Sequence, residues 1–114
     1  MARTTWNKYH AKKVTLFGET FDSMKEAERW LVLKDLQKRG KIRDLRRQVK
    51  FELTPTAPAV KLKAMDYIAD FVYTQDGETV VEDVKGYKKG EAYKLFTAKK
   101  KVLYWRYGIL IKEV

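Results

Sequence analysis

Cysteine does not occur in this chain of 114 residues. Its absence excludes disulfides, thiolate-bound zinc and cysteine nucleophiles, and leaves the redox compartment open. Proline occurs only twice, both times within TPTAPAVKLK, Thr54 to Lys63, which reads as a connection inside one domain. The single histidine, His10, sits among basic neighbours and reads as part of an arm, not as a general base. No apolar run approaches the roughly 18 residues of a membrane span, so no membrane partner is expected. The opening MARTTWNKYHAKK is basic and lacks the apolar stretch of a secretory signal, which makes the cytoplasm the default expectation. Repeats and low-complexity tracts are also missing. Residues 1–114 therefore read as a single domain, with 1–13 as a basic, flexible arm.

What the chain does have is positive charge. Lys and Arg number 25 against 15 Asp and Glu, a net +10, which favours a polyanionic partner. A well-solvated or thermophilic surface would also accumulate charge. Charge alone does not separate DNA from RNA, or binding from cutting. VTLFGETF predicts a short hairpin turning at Gly18-Glu19. FDSMKEAERWLVLKDLQKRG predicts a helix starting at Asp22 or Ser23, with Gly40 past its end. RRQVKFEL, MDYIADFVYT and TVVEDVKG predict three strands. GEAYKLFTAKKKVLYWRYG is a second helix, with Ala92, Leu95, Phe96, Lys99, Val102 and Leu103 at helical spacing. ILIKEV predicts a last, buried strand. The order is a hairpin, then α-β-β-β-α-β, an α/β (α+β) chain.

VVEDVKG, Val80 to Gly86, is an odd strand. Glu82 and Val84 share one face, while Val81, Asp83 and Lys85 share the other, so charge is covered whichever face is packed. Asp76-Gly77 is a strong two-residue hairpin signal. The register it sets pairs Val72 with Val81 and places Asp70 opposite Asp83. Like charges so placed repel. A divalent cation held by both explains them, and hard oxygen ligands suit magnesium or manganese. The alternative is an Asp-Lys-Asp salt-bridge cluster at a sheet rim. Glu82 has no evident catalytic role, and a basic partner on its own face would account for it.

Glu26 has two readings. SMKE fits a capping box in which Glu26 bonds back to the Ser23 amide. Equally, Glu26, Trp30, Leu33 and Gln37 follow helical spacing, so if Trp30 and Leu33 pack on the sheet, Glu26 is held on the same side and can point at the aspartate pair.

These residues resemble a known pattern. Asp70, a hairpin, then Asp83-Val84-Lys85 is similar to the D…(D/E)-x-K core of the PD-(D/E)XK nuclease superfamily, although Ala69 stands where that pattern has proline. The resemblance implies a restriction-endonuclease-like core, α-β-β-β-α-β with a mixed central sheet. NKYHAKK, FDSMKEAE, ADFVY and VEDVKGY together resemble a phage-encoded family grouped with archaeal-type Holliday junction resolvases, from about Asn7 to Val114. By that resemblance Asp70, Asp83, the Val84 carbonyl and Glu26 hold Mg²⁺, with Mn²⁺ able to substitute. Lys85 orients or activates the attacking water, and Gln48 occupies the place of a strand glutamine near the site. The implied activity is DNA endonucleolysis, with four-way junctions as substrate and the host cytoplasm as location. Duplex or branched-DNA cleavage by the same fold, or a non-catalytic basic DNA-binding module, are the alternatives.

DNA contacts are expected from Lys88, Lys89, Lys94, Lys99, Lys100 and Lys101 on and before the second helix. Lys8, Lys12 and Lys13 of the arm are further candidates, unless the arm is simply a solvated tail. Tyr93, Phe96 and Leu103 read as core. Coordinated cutting of a nearly two-fold junction calls for a homodimer, since a chain this short carries one site. Trp105 and Tyr107 are candidates for its interface.

Overall fold

A computed structural model describes residues 13–86 and 88–114. Two strands, β1 (Val14–Leu16) and β2 (Glu19–Phe21), form a hairpin. They are followed by α1 (Met24–Lys38), β3 (Arg43–Thr54), β4 (Met65–Gln75), β5 (Glu78–Asp83), α2 (Gly90–Tyr107) and β6 (Lys112–Glu113). The order is thus a hairpin and then α-β-β-β-α-β, as the sequence predicts. The main sheet runs β3-β4-β5-β6, antiparallel except for the parallel β5/β6 pair, so it is mixed. No helix among the described residues is long and apolar enough to cross a membrane.

The local signals act largely as expected. Ser23 caps α1, its Oγ accepting from the Glu26 amide at 3.1 Å. Gly40, at φ +77°, ends it through a bond from its amide to the Gln37 carbonyl. Asp76 and Gly77 both take positive φ, 52° and 80°, which is the primed two-residue turn that suits a twisted hairpin. The register that follows is the predicted one, with Val72 opposite Val81 and Thr74 opposite Thr79.

Two expectations are corrected. The first hairpin turns at Phe17-Gly18, not Gly18-Glu19, because Leu16 pairs with Glu19. Both turn residues take positive φ, and glycine fills the second place. The last strand covers only Lys112 and Glu113, not all of ILIKEV. The chain leaves α2 through Gly108 in the left-handed region and first meets β5 at Glu82↔Lys112. Ile111 is nevertheless buried in the core.

The sheet is packed on both faces. On one face Phe96 and Leu103 of α2 pack with Leu53, Tyr67, Ala69, Val72, Val81 and Ile111. On the other face Leu33 of α1 packs with Ile42, Phe71 and Tyr73, and Trp30 of the same helix stacks 5.9 Å from Phe71. Full burial of a side chain such as Phe71 or Leu33 contributes about 1.5–3 kcal/mol. Strict alternation along β4 would put Ala69 and Phe71 on one face. They fall instead into different clusters, so the pattern breaks at Asp70. Opposite Asp70, between the pairs Arg47↔Phe71 and Val49↔Ala69, stands Gln48 at φ +51°. A non-glycine residue held there costs of order 1 kcal/mol, and such positions cluster at functional sites.

Candidate active site

The β4/β5 ladder ends at Phe71↔Glu82. Asp70 and Asp83, next in register, face each other as the sequence predicts but are not themselves a ladder pair. Asp70 Oδ2 instead accepts from the Val84 amide at 2.8 Å. On the other side of the strand end, Val114 bonds the Asp83 carbonyl and the Lys85 amide, at 3.0 and 3.1 Å. The backbone groups of Val84 therefore turn toward Asp70.

Asp83 is buried, and its carboxyl is pushed up to about 7. Burial is the main cause, followed by hydrogen bonding to Asp70 and by its negative charge, against the pull of Lys85. Lys85 Nζ lies 2.7 Å from Asp83 Oδ2 and 3.8 Å above the Phe96 ring, so its ammonium is held from two sides. The faces of the strand are as expected, with Asp83 and Lys85 toward α2.

Glu26 serves both of its readings at once. Oε1 accepts from the Asp22 amide at 3.3 Å, one residue earlier than the Ser23 amide of the predicted box. Oε2 faces the cleft, 3.5 Å from Arg47 Nη2 and 3.4 Å from Gln48 Nε2. Gln48 Nε2 also donates to Asp70 Oδ1 at 3.3 Å, so its amide bridges Glu26 and Asp70. Burial, and then the Asp70 charge, raise the Glu26 carboxyl above its ordinary range. Among the described residues no group of three His, Cys, Asp or Glu side chains is close enough to hold a metal ion. Glu26 faces the aspartates as its helix position predicts, with the Gln48 amide bridging it to Asp70.

Two residues at the site carry little or no sequence signal. Arg47 donates to Glu19 Oε1 at 2.9 Å and to the Thr20 carbonyl at 3.0 Å, with its guanidinium 3.9 Å above Phe21. It ties the first hairpin to Glu26. In the sequence it is one arginine of an Arg-Arg pair, with nothing to mark it. Tyr67 is buried beside the aspartates, and only its place in β4, three residues before Asp70, could have pointed to it. Asp70, Asp83, Glu26, Gln48, Lys85 and Tyr67 line one cleft of about 460 Å³, joined by Ile68, Leu95 and Lys99 on its walls.

The predicted DNA contacts separate. Lys99 lines the cleft, and Lys89 and Lys101 are exposed. Lys100 Nζ is 2.8 Å from Glu113 Oε2, so it anchors β6 to α2, and Lys88 lies 3.9 Å from the same carboxylate. Lys94 pairs with Glu91 at 3.5 Å and Lys13 with Asp22 at 3.8 Å, both on the surface, where such pairs contribute little. Lys8 and Lys12, like the rest of the arm through residue 12, lie outside the described residues. Trp105 is 85% exposed, while the Tyr107 hydroxyl donates to the Glu52 carbonyl at 2.7 Å and its ring packs on Phe51.

Glu82 does find its basic partner. Arg29 holds it with two bonds, Nε to Oε1 at 2.8 Å and Nη2 to Oε2 at 2.6 Å, and the Tyr73 hydroxyl donates to Oε2 as well. Burial pushes this carboxyl up, but the bonds from Arg29 and Tyr73 outweigh it and hold it below its ordinary range.

Compared with known proteins, residues 6–112 match a family model described as a protein of unknown function (DUF1064). No curated protein and no solved structure matches the chain.

Proposed function

The chain belongs to the DUF1064 family, described as of unknown function, and from that premise we propose that it is a divalent-cation-dependent DNA endonuclease. The observation that supports this reading is the pair Asp70 and Asp83, crowded at a splayed strand end with Lys85 against one of them and Glu26 one glutamine away. Burial and the neighbouring Asp70 push the Asp83 carboxyl up to about 7 even with Lys85 beside it, so the lysine alone does not relieve the crowding of the two acids. Two hard carboxylates in that condition suit Mg²⁺ or Mn²⁺. Asp70 and Asp83 would hold the cation, with the Val84 carbonyl toward the same side. Such a cation lowers the pKa of water and stabilises charge on phosphoryl oxygens.

The chain's own residues supply the rest. Lys85, fixed by Asp83 and Phe96, sets a positive charge where a phosphate would lie, with little freedom left to lose. Gln48 orients Asp70 from the left-handed backbone position that aims its amide between two acids. Lys99 offers the DNA backbone a cation at the rim of the cleft. The net charge of +10 steers a polyanion toward the surface. A four-way junction is the substrate implied by the resemblance to archaeal-type resolvases. Paired cuts then need two clefts, hence a homodimer, for which exposed Trp105 is the better interface candidate than Tyr107.

The deciding experiment incubates the protein with a four-way junction and with linear duplex, in Mg²⁺ and in EDTA. Cleavage in Mg²⁺ alone, at symmetric positions of two opposing strands, by a species that sediments as a dimer, is the expected result. A monomer that degrades linear duplex equally well would overturn the junction but leave the nuclease. No cleavage of any DNA in Mg²⁺ or Mn²⁺ would overturn both.

Glu26→Gln separates capping from catalysis. Glutamine still offers an oxygen to the Asp22 amide, but its NH2 then faces the donors of Arg47 and Gln48, so the melting temperature should fall by a few degrees, about 1 kcal/mol or less, with the fold retained. Cleavage should fall by at least about tenfold, roughly 1.4 kcal/mol of barrier. Full activity would leave Glu26 with a capping role only. Lys99→Ala and Lys100→Ala should differ in kind. The first should weaken DNA binding and reduce the slope of log K against log salt by about 0.9, one phosphate contact. The second should leave that slope unchanged and lower stability by no more than about 1 kcal/mol, since its pair with Glu113 is partly solvated.

A further inference from the structure

Tyr67 lies in β4 with only 4% of its surface exposed, and its hydroxyl has no hydrogen-bond partner among the described residues. Burial raises the pKa of the hydroxyl, which lies near enough to Asp83 for a weak hydrogen bond to raise it further and feels the Asp70 charge, but neither carboxylate meets full hydrogen-bond geometry with it. Its ring is clamped between Phe51 and Phe96, with centroids 6.4 and 6.2 Å away. Leaving a buried hydroxyl unpaired is costly, and where native proteins keep one, a bound group is a physical reason for it. Tyr67 is among the residues that line the cleft holding the two aspartates, and its hydroxyl oxygen is itself buried.

We propose that the Tyr67 hydroxyl donates a hydrogen bond to a non-bridging oxygen of the phosphodiester seated in the cleft, an inference that rests on the nuclease reading. Lys85 offers a cation on one side of the aspartates, and Tyr67 offers a neutral donor set rigidly by its aromatic neighbours. A neutral donor adds no charge that would compete with a cation for the carboxylates. A phenol, with an ordinary pKa of about 10, is also a donor throughout the neutral range. A donor so placed needs no reorganisation as negative charge grows on the phosphoryl oxygen. Phenylalanine would keep the ring packing and remove only the unpaired hydroxyl.

The test uses Tyr67→Phe and DNA carrying a single phosphorothioate of defined configuration, Rp or Sp, at the cleaved bond. The variant should melt no lower than the wild type and bind Mn²⁺ equally well by electron paramagnetic resonance, yet cleave at least about tenfold more slowly. Sulfur accepts hydrogen bonds poorly. One diastereomer should therefore slow the wild type by a similar factor in Mn²⁺ as in Mg²⁺, and this penalty should vanish in Tyr67→Phe. Loss of Mn²⁺ binding in the variant, or an unchanged rate and penalty, would overturn the tyrosine's role while the nuclease stands. A wild type with no cation-independent penalty for either diastereomer would overturn it without any variant. A wild type that cleaves no DNA would overturn both.

Discussion

Asp83→Asn should abolish cleavage, by about a thousandfold or more, roughly 4 kcal/mol of barrier, and should leave the fold intact. Asparagine keeps the shape of the side chain. Its carbonyl can accept from Lys85, which now stands 2.7 Å from Asp83 Oδ2, and its amide can donate to Asp70. What is lost is the second negative charge, and with it the affinity for a divalent cation. The same change bears on stability with a definite sign. The carboxyl of Asp83 is raised from 3.8 to about 7 in the folded protein. The folded state therefore binds more protons than the unfolded chain between those values, and the contribution of this group to stability declines as pH rises through that window. At pH 8, with EDTA present, the variant should melt at or above the wild-type temperature. With Mg²⁺ at about a hundred times its dissociation constant, the wild type should gain about 2.7 kcal/mol and the variant nothing. A variant that retained more than about a tenth of the wild-type rate would count against Asp83 as a ligand, as would one that still gained stability from Mg²⁺.

The largest effect on stability should come from a residue with no place in the chemistry. Arg29→Met should destabilise the protein by about 3 kcal/mol, because it leaves the Glu82 carboxylate buried with only Tyr73 and a distant Lys112, 4.0 Å away, to answer its charge. Glu82 has no exposed surface, whereas Arg29 is a quarter exposed, which places the estimate at the low end of the range for buried pairs. For a domain of this size the melting temperature should drop by more than about 10 °C. Adding Glu82→Gln should recover most of the loss, since glutamine can still accept from Tyr73 and carries no charge. A loss under about 1 kcal/mol in Arg29→Met would show that the pair is solvated and adds little. Glu82 and Asp83 also answer acid in opposite directions. The depressed carboxyl of Glu82 contributes stability above its ordinary value of 4.5 and loses it on acidification below. Without divalent cations the wild type should thus gain stability from Asp83 as pH falls from 8 to about 5, and lose it through Glu82 further down.

Much was legible in the residues alone because the signals are local. Ser23, Gly40 and the Asp76-Gly77 turn act within a few residues of themselves, through capping bonds and positive φ. Helix boundaries and the β4/β5 register followed from them. Once that register was set, Asp70 had to stand near Asp83, and Glu82 had to face away from Lys85. The first hairpin missed by one residue because Phe17, a bulky side chain, accepts a positive φ that its type disfavours. What only the tertiary structure decided lies between elements. The identity of Glu82's partner, Arg29 on α1, depends on which helix covers which face. The splay that turns Asp70 onto the Val84 amide, and the left-handed Gln48 that stands between Glu26 and the aspartates, depend on how two packed faces meet at one point. Lys99 and Lys100 look alike in the chain, and only the approach of β6 commits one to Glu113 and leaves the other at the cleft. Pattern and turn chemistry depend on neighbours in sequence, whereas ion pairs between elements, orphaned hydroxyls and raised carboxyls depend on distances that no sequence spacing specifies.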